Sequence, residues 1–78
     1  EQFNVYPNPA TNVVNVTNSA NILVEQITVY DVAGKQISTQ VFNNENQVQL
    51  NIANLPTGTY LFHIETDQGT AVKKIVKH

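Results

Sequence analysis

The sequence predicts an all-β protein, an antiparallel β-sandwich built from seven strands. Three observations support this fold class. Apolar and polar residues alternate with period two in several short segments, which is the pattern of half-buried strands. No segment shows a helical pattern of useful length. Turn-forming residues recur roughly every 8–12 residues, a spacing typical of sandwich domains.

The length and composition favour a single domain spanning residues 1–78. At 78 residues the chain is the size of one small domain, and it contains no Cys, Trp or Met. Aliphatic and β-branched residues must therefore form the core, with help from three Tyr and three Phe. The alternation places the strands at residues 3–6, 12–17, 22–30, 35–42, 46–53, 59–66 and 70–77.

Each connection between these strands carries a turn signal. Pro7 and Pro9 lack an N–H group and end the first strand. The polar segment NSAN follows the second strand, and Asp31 and Gly34 suit the first and fourth positions of a type I turn. A polar NNEN loop tip separates the fourth and fifth strands. Gly69 can take a positive φ in a short hairpin before the last strand.

The segment LPTGTY, residues 55–60, is predicted to be a structural corner rather than a sortase tag. Sortases of Gram-positive bacteria read Leu-Pro-x-Thr-Gly, but here Thr57 follows Pro56 directly and a charged strand follows the motif. Pro56 suits position i+1 of a turn and Gly58 suits position i+3. Leu55 is expected to plug the core. Tyr60 is expected to form a tyrosine corner, its hydroxyl bonded to upstream backbone.

The alternation also predicts which residues face the core. The expected inward-facing residues are Val14, Val16, Ile27, Val29, Ile37, Val48, Leu50, Ile52, Tyr60, Phe62 and Ile64. Val24, Tyr30 and Leu61 place further apolar groups on the second face of their strands. Two interpretations of these three stay open. They are isolated exposed apolar residues, which are common, or they belong to a surface that packs against another domain or binds a partner.

The charge distribution is uneven. The net charge of −2 is too small to indicate nucleic acid or an anionic membrane as a partner. Lys73, Lys74 and Lys77 nevertheless lie in the last six residues, whereas the rest of the chain has one lysine and six carboxylates. Lysines also protect an edge strand from pairing with another chain. No apolar run approaches the length of about 18 residues that spans a bilayer. No signal peptide is visible, so a leader would lie outside this sequence.

The sequence offers little for catalysis, and we expect no enzyme, no cofactor and no metal site. Neither His63 nor His78 stands beside a marked nucleophile, and His63 is expected to face outward from its strand. The acidic residues lack the dense spacing of a calcium loop. No glycine-rich phosphate loop is present. The NVT at residues 15–17 matches the N-glycosylation pattern, but this short match on a strand is weak.

Four segments, in chain order, carry a resemblance to a known family: YPNPA at 6–10, VYDVAGKQI at 29–37, LPTGTYLFHIET at 55–66 and GTAVKKIVKH at 69–78. The chain resembles the type A C-terminal sorting domain of the type IX secretion system, found in Bacteroidetes-type bacteria. The resemblance covers essentially all 78 residues and implies a seven-stranded, immunoglobulin-like sandwich. The family pattern falls on Tyr6, Pro7, Asn8, Pro9, Ala10, Asp31, Gly34, Lys35, Leu55, Pro56, Gly58, Tyr60, Gly69, Lys74, Val76 and Lys77.

The resemblance implies a non-catalytic secretion signal. Such domains direct a folded, N-terminal cargo domain from the periplasm through the outer-membrane machinery. A surface signal peptidase commonly cuts just upstream, here before or near Glu1. The cargo is then secreted or attached to the cell surface through anionic lipopolysaccharide. We expect a monomer that does not bind nucleic acid. Recognition by the translocon is expected at the C-terminal strand, through Lys73, Lys74, Val76 and Lys77.

One structural alternative remains from the sequence. The chain could be an immunoglobulin-like or fibronectin-like spacer, or a carbohydrate-binding module, of a secreted multidomain protein. A carbohydrate module needs aromatic side chains on an exposed face, and only Tyr6, Tyr30 and Phe42 are candidates, since Trp is absent. Whether the segment ends its precursor discriminates the two functions, because a sorting signal must be C-terminal and a spacer need not be.

Overall fold

The computed structural model describes residues 3–8 and 10–78, and this part of the chain forms seven strands and no helix. The predicted fold class and strand number are confirmed. One boundary differs clearly, because the fourth strand runs through most of the predicted NNEN loop and leaves only Asn46 before the fifth. The strands are β1 (Phe3–Tyr6), β2 (Val13–Asn18), β3 (Val24–Asp31), β4 (Gln36–Glu45), β5 (Gln47–Asn51), β6 (Gly58–Thr66) and β7 (Gly69–Lys77).

The strands form two antiparallel sheets. One sheet has three strands in the order β1-β2-β5, and the other has four in the order β4-β3-β6-β7. In the constant-type immunoglobulin arrangement the fourth strand joins the sheet that contains the first. Here β4 instead pairs with β3, which makes the second sheet the larger one. The topology is otherwise that of the predicted immunoglobulin-like sandwich.

The core lies between the inner faces of the two sheets. The smaller sheet contributes alternate residues of β2 and β5, and the larger sheet contributes alternate residues of β3, β6 and β7. Nearly all residues predicted to face inward are buried there. The buried core residues are Ala10, Val14, Val16, Val24, Ile27, Val29, Val48, Leu50, Ile52, Tyr60, Phe62, Ile64 and Ile75.

An irregularity in β3 changes the predicted side of Val24. Strict alternation from Ile27 and Val29 puts Val24 on the outer face, yet it is fully buried. The register shifts between Val24 and Gln26, since Val24 pairs with Thr66 and Gln26 with Glu65. Such a bulge adds one residue to the strand and reverses the alternation beyond it. The prediction for Val24 was therefore wrong for a local backbone reason.

A second shift in register explains Ile37, which was predicted to be buried but is 38% exposed. Val29 pairs with Ser38 and Tyr30 pairs with Gln36, so Ile37 has no residue opposite it in β3. Tyr30 lies on the outer face as predicted from the alternation. Its ring contacts that of His63 edge-on, with ring centroids 4.5 Å apart.

Val24 and Val41 both lie in the larger sheet, but one is buried and the other exposed, so together they test the bulge. We expect Val24→Ala to lower the free energy of unfolding by about 2–3 kcal/mol, because two buried methyl groups are lost and a cavity remains. The same truncation at Val41, which is 73% exposed, should change it by less than about 0.5 kcal/mol. Urea denaturation measures both. Equal effects would mean that Val24 does not face the core.

Candidate functional site: the motif pole

The antiparallel topology brings the sequence motifs to one end of the sandwich. Asp31 pairs with Tyr60, Gly58 pairs with Lys77, and Ala10 forms a parallel bridge with Lys77. Residues 6–8 and 10, 31–35, 52–60 and 74–78 therefore lie together, and we call this end the motif pole. Of the residues singled out in the sequence, Gly69 lies at the other end, in the β6–β7 hairpin with φ of +118°.

The other end, the far pole, contains the start of β1 and the loops at 19–23, 46 and 67–68. Phe3 is opposite Asn18 in the register. The Asn18 side-chain amide donates to the carbonyl oxygens of Ile22 at 2.9 Å and Asn46 at 3.1 Å. Asp67 accepts a bond from the Leu23 N–H at 3.1 Å. The chain thus enters the described structure at one pole and ends at the other.

The Asn8 side chain clamps the terminal strand at the motif pole. Its amide nitrogen donates to the Lys74 carbonyl at 3.2 Å, and its amide oxygen accepts from the Val76 N–H at 3.1 Å. A side-chain amide therefore occupies the place that a neighbouring strand would take along the edge of β7. This contact was not predicted from the sequence. The available sequence signal was an Asn between two prolines. Because proline has no N–H group, the Asn8 side chain is a main source of hydrogen bonds in this segment.

Ala10 extends the clamp with its backbone. Its N–H donates to the Val76 carbonyl, and its carbonyl accepts from the His78 N–H, both at 2.8 Å. Ala10 is also fully buried, so a larger side chain has no space there. The preceding Tyr6–Pro7 peptide bond is cis, and Pro9 lies outside the described residues. Together these contacts cover the edge of the last part of β7.

The LPTGTY segment forms the predicted tyrosine corner. The Tyr60 hydroxyl donates to the Pro56 carbonyl at 2.6 Å, and the ring is buried. Leu55 packs against the core from a partly buried position. The hydrogen-bonded turn, however, lies earlier than predicted, because the Leu55 N–H bonds to the Ile52 carbonyl at 3.0 Å. Pro56 therefore follows this turn instead of occupying its second position.

The Asp31 turn matches the sequence prediction. The Gly34 N–H donates to the Asp31 carbonyl at 3.0 Å, and Gly34 has a φ of +87°, a conformation that favours glycine. The Asp31 carboxylate accepts bonds from the N–H groups of Ala33 and Lys35, both at 2.9 Å. The Asp31 carboxylate thus stabilises the turn by accepting hydrogen bonds from two of its backbone N–H groups.

The four candidate recognition residues separate into two environments. Alternation along β7 directs Val72, Lys74 and Val76 to the outer face of the larger sheet, where Lys74 is exposed and Val76 is half-buried. Lys73 is half-buried on the opposite side. Lys77 is only 8% exposed, and its ammonium donates to the Leu55 carbonyl at 3.1 Å. Lys77 therefore holds the corner, although the sequence had suggested a surface role for it.

A metal site and a membrane-spanning helix each place requirements on the described residues. Within residues 3–8 and 10–78, no three His, Cys, Asp or Glu side chains are grouped so that they could hold a metal ion. In the same part of the chain, no helix has the length and apolar character needed to cross a membrane.

Tyr60 should contribute more to stability than the other two tyrosines. Tyr60→Phe is expected to cost about 1 kcal/mol, because one hydrogen bond to backbone is lost. Tyr60→Ala is expected to cost about 3–5 kcal/mol, because the ring is buried. Denaturant melts of both variants, with Tyr6→Phe as the exposed control, measure the difference. A loss below roughly 1 kcal/mol for Tyr60→Ala would contradict the corner.

The clamp predicts a stability cost at an exposed asparagine. Asn8→Ala removes two hydrogen bonds to β7 and should lower the free energy of unfolding by about 1–3 kcal/mol. Asn8→Asp should not rescue it, because a carboxylate cannot donate to the Lys74 carbonyl. Asn43→Ala, at an exposed position of β4, is the matched control and should change stability by less than about 0.5 kcal/mol. Equal melting of Asn8→Ala and the wild type would exclude the clamp.

Comparison with known proteins gives one family. No curated protein matches the chain at a significant level. The family model described as the secretion system C-terminal sorting domain matches residues 4–78. The match includes all four motif segments and both sheets of the sandwich. The chain therefore belongs to the family of type IX secretion system C-terminal sorting domains.

Proposed function

We propose that this domain is a folded, non-catalytic address that directs a cargo domain from the periplasm across the outer membrane. The family match already assigns a C-terminal sorting signal for type IX secretion. The observation that carries the proposal further is that one end of each of the four motif segments lies at the motif pole. A partner that binds this pole contacts residues that are distant in sequence. Recognition therefore requires the folded domain.

The position of the two poles supports this function. The described chain enters at Phe3 in the far pole and ends at the motif pole. A cargo domain joined upstream approaches the sandwich from the far pole. The motif pole is thus turned away from the cargo, and the secretion machinery can bind it while the cargo is folded.

We assign recognition to the outer side of β7, where Val72, Lys74 and Val76 form a stripe of alternating apolar and cationic groups. Val72 is half exposed and Lys74 is exposed. Lys74 lies opposite Leu61 in the register, which adds apolar surface beside the ammonium. A complementary partner has an apolar face with carboxylates at its border. Lys77 lies on the opposite face of β7 and anchors this strand to the corner by donating to the Leu55 carbonyl.

After translocation, we propose that the surface signal peptidase of the system removes the domain. Cleavage before or near Glu1 would separate the cargo upstream of β1, which begins at Phe3. The cargo is then released or attached to the cell surface. A spacer function is the alternative, and it fails if the segment ends its precursor and is required for export.

The recognition stripe predicts that Lys74→Gln blocks export without unfolding the domain. Lys74 uses its backbone carbonyl for the clamp, so replacing its exposed side chain should change stability by less than about 0.5 kcal/mol. The assay fuses the 78 residues to a reporter that is delivered to the periplasm of a bacterium with the system. We expect the reporter to remain in the periplasm and the purified variant to melt like the wild type.

Lys35→Gln is the matched control for this assay. Lys35 is an exposed lysine at the same pole, but it lies in the β3–β4 turn rather than on β7. Its variant should be exported normally. Normal export of Lys74→Gln would refute the stripe, and equal retention of both variants would show that overall charge matters instead. Lys77 is unsuitable as a probe, because its replacement also removes the bond to Leu55.

A further inference from the structure

A groove beside β4 lies away from the motif pole except at Tyr6, which belongs to both. It has a volume of about 660 Å³ and runs between the second half of β4 and the outer face of the smaller sheet. This volume is within the range of about 300–1,000 Å³ that is typical of small-ligand sites. Its floor includes Asn15 of β2 and Gln49 of β5, and its wall includes Gln40 and Asn43 of β4.

The side chains of the groove define the class of ligand. Five are amides, since Gln47 joins the four named above, and each amide can both donate and accept hydrogen bonds. Glu45 is the single charged residue that lines the groove among the described residues, and no Lys or Arg does so. An anionic ligand has no cationic partner in this lining and would be repelled by the Glu45 carboxylate. The low apolar content also disfavours a lipid. A neutral ligand rich in hydroxyl groups fits this lining.

Part of the groove is preorganised. The Gln49 amide nitrogen donates to the Asn15 side-chain oxygen at 3.0 Å, and the Asn15 amide nitrogen donates to the Tyr6 carbonyl at 3.3 Å. These bonds fix two amide side chains across β1, β2 and β5. A ligand that binds them loses less side-chain freedom than one that binds mobile glutamines.

Two aromatic side chains lie in the same groove. Tyr6 is 49% exposed, and Phe42 is partly buried against the core. An aromatic ring offers a flat apolar surface, and the C–H face of a pyranose ring is complementary to it. The third aromatic candidate from the sequence, Tyr30, contacts His63 on the larger sheet and takes no part.

We propose that this groove binds a neutral oligosaccharide. The amides hydrogen-bond to the sugar hydroxyls and the Tyr6 ring contacts a sugar face. The groove has no residue of β7 in its lining, so the domain can bind a glycan and still present the recognition stripe. The proposal does not depend on the sorting function, because binding is measured on the isolated chain.

The experiment is a titration of the 15N-labelled 78-residue chain followed by NMR. The neutral probes are maltohexaose, cellohexaose and mannohexaose. The comparison probes are hexagalacturonate, which is anionic, and an uncharged extended hexapeptide. We expect at least one neutral sugar to cause saturable shifts confined to the residues that line the groove, with a Kd on the order of 1 mM or tighter.

Three variants test whether the named side chains form the site. Tyr6→Ala should weaken binding about three- to tenfold, the size of one aromatic contact. Gln47→Ala, at an exposed side chain with no role in the clamp, should also weaken binding and serves as the readout if Tyr6→Ala does not fold. Tyr30→Ala, outside the groove, should bind as the wild type does. The proposal is overturned if no neutral sugar binds, if hexagalacturonate or the peptide binds as well or better, or if neither groove variant weakens binding.

Discussion

The contact between Asn8 and the backbone of β7 is the constraint on which the motif pole depends. An edge strand presents unpaired N–H and carbonyl groups that attract other chains. In this domain one side-chain amide and the backbone of Ala10 satisfy those groups from Lys74 to His78. The strand that carries the proposed recognition stripe is thereby fixed in position, and the clamp does not use its outer side chains.

The corner and the buried lysine stabilise the same pole from inside. Burying an ammonium group is unfavourable unless a hydrogen-bond acceptor replaces water. Lys77 meets this requirement at the Leu55 carbonyl, one residue before the Pro56 carbonyl that accepts the Tyr60 hydroxyl. Two successive carbonyl groups therefore tie the β5–β6 crossover to β6 and β7. The family motifs are in this sense parts of one hydrogen-bonded unit.

The sequence was sufficient for the fold class, the seven strands, the Asp31 turn and the tyrosine corner, because these depend on local patterns of a few residues. It was insufficient where an extra residue enters a strand. Val24 and Ile37 were misplaced because alternation cannot show a bulge. The clamp and the burial of Lys77 were also missed, since both depend on which distant backbone groups meet. The groove proposed to bind a glycan combines β1, β2, β4 and β5, and no single segment indicates it.

The clamp has a consequence for biosynthesis. Its two partners are 68 positions apart in a chain of 78, so the pole cannot form until Val76 has left the ribosome and any translocation channel. A polypeptide that terminates before Val76 lacks the second clamp partner and cannot complete the pole. Under the proposed function, export would therefore be limited to proteins whose synthesis has continued through β7.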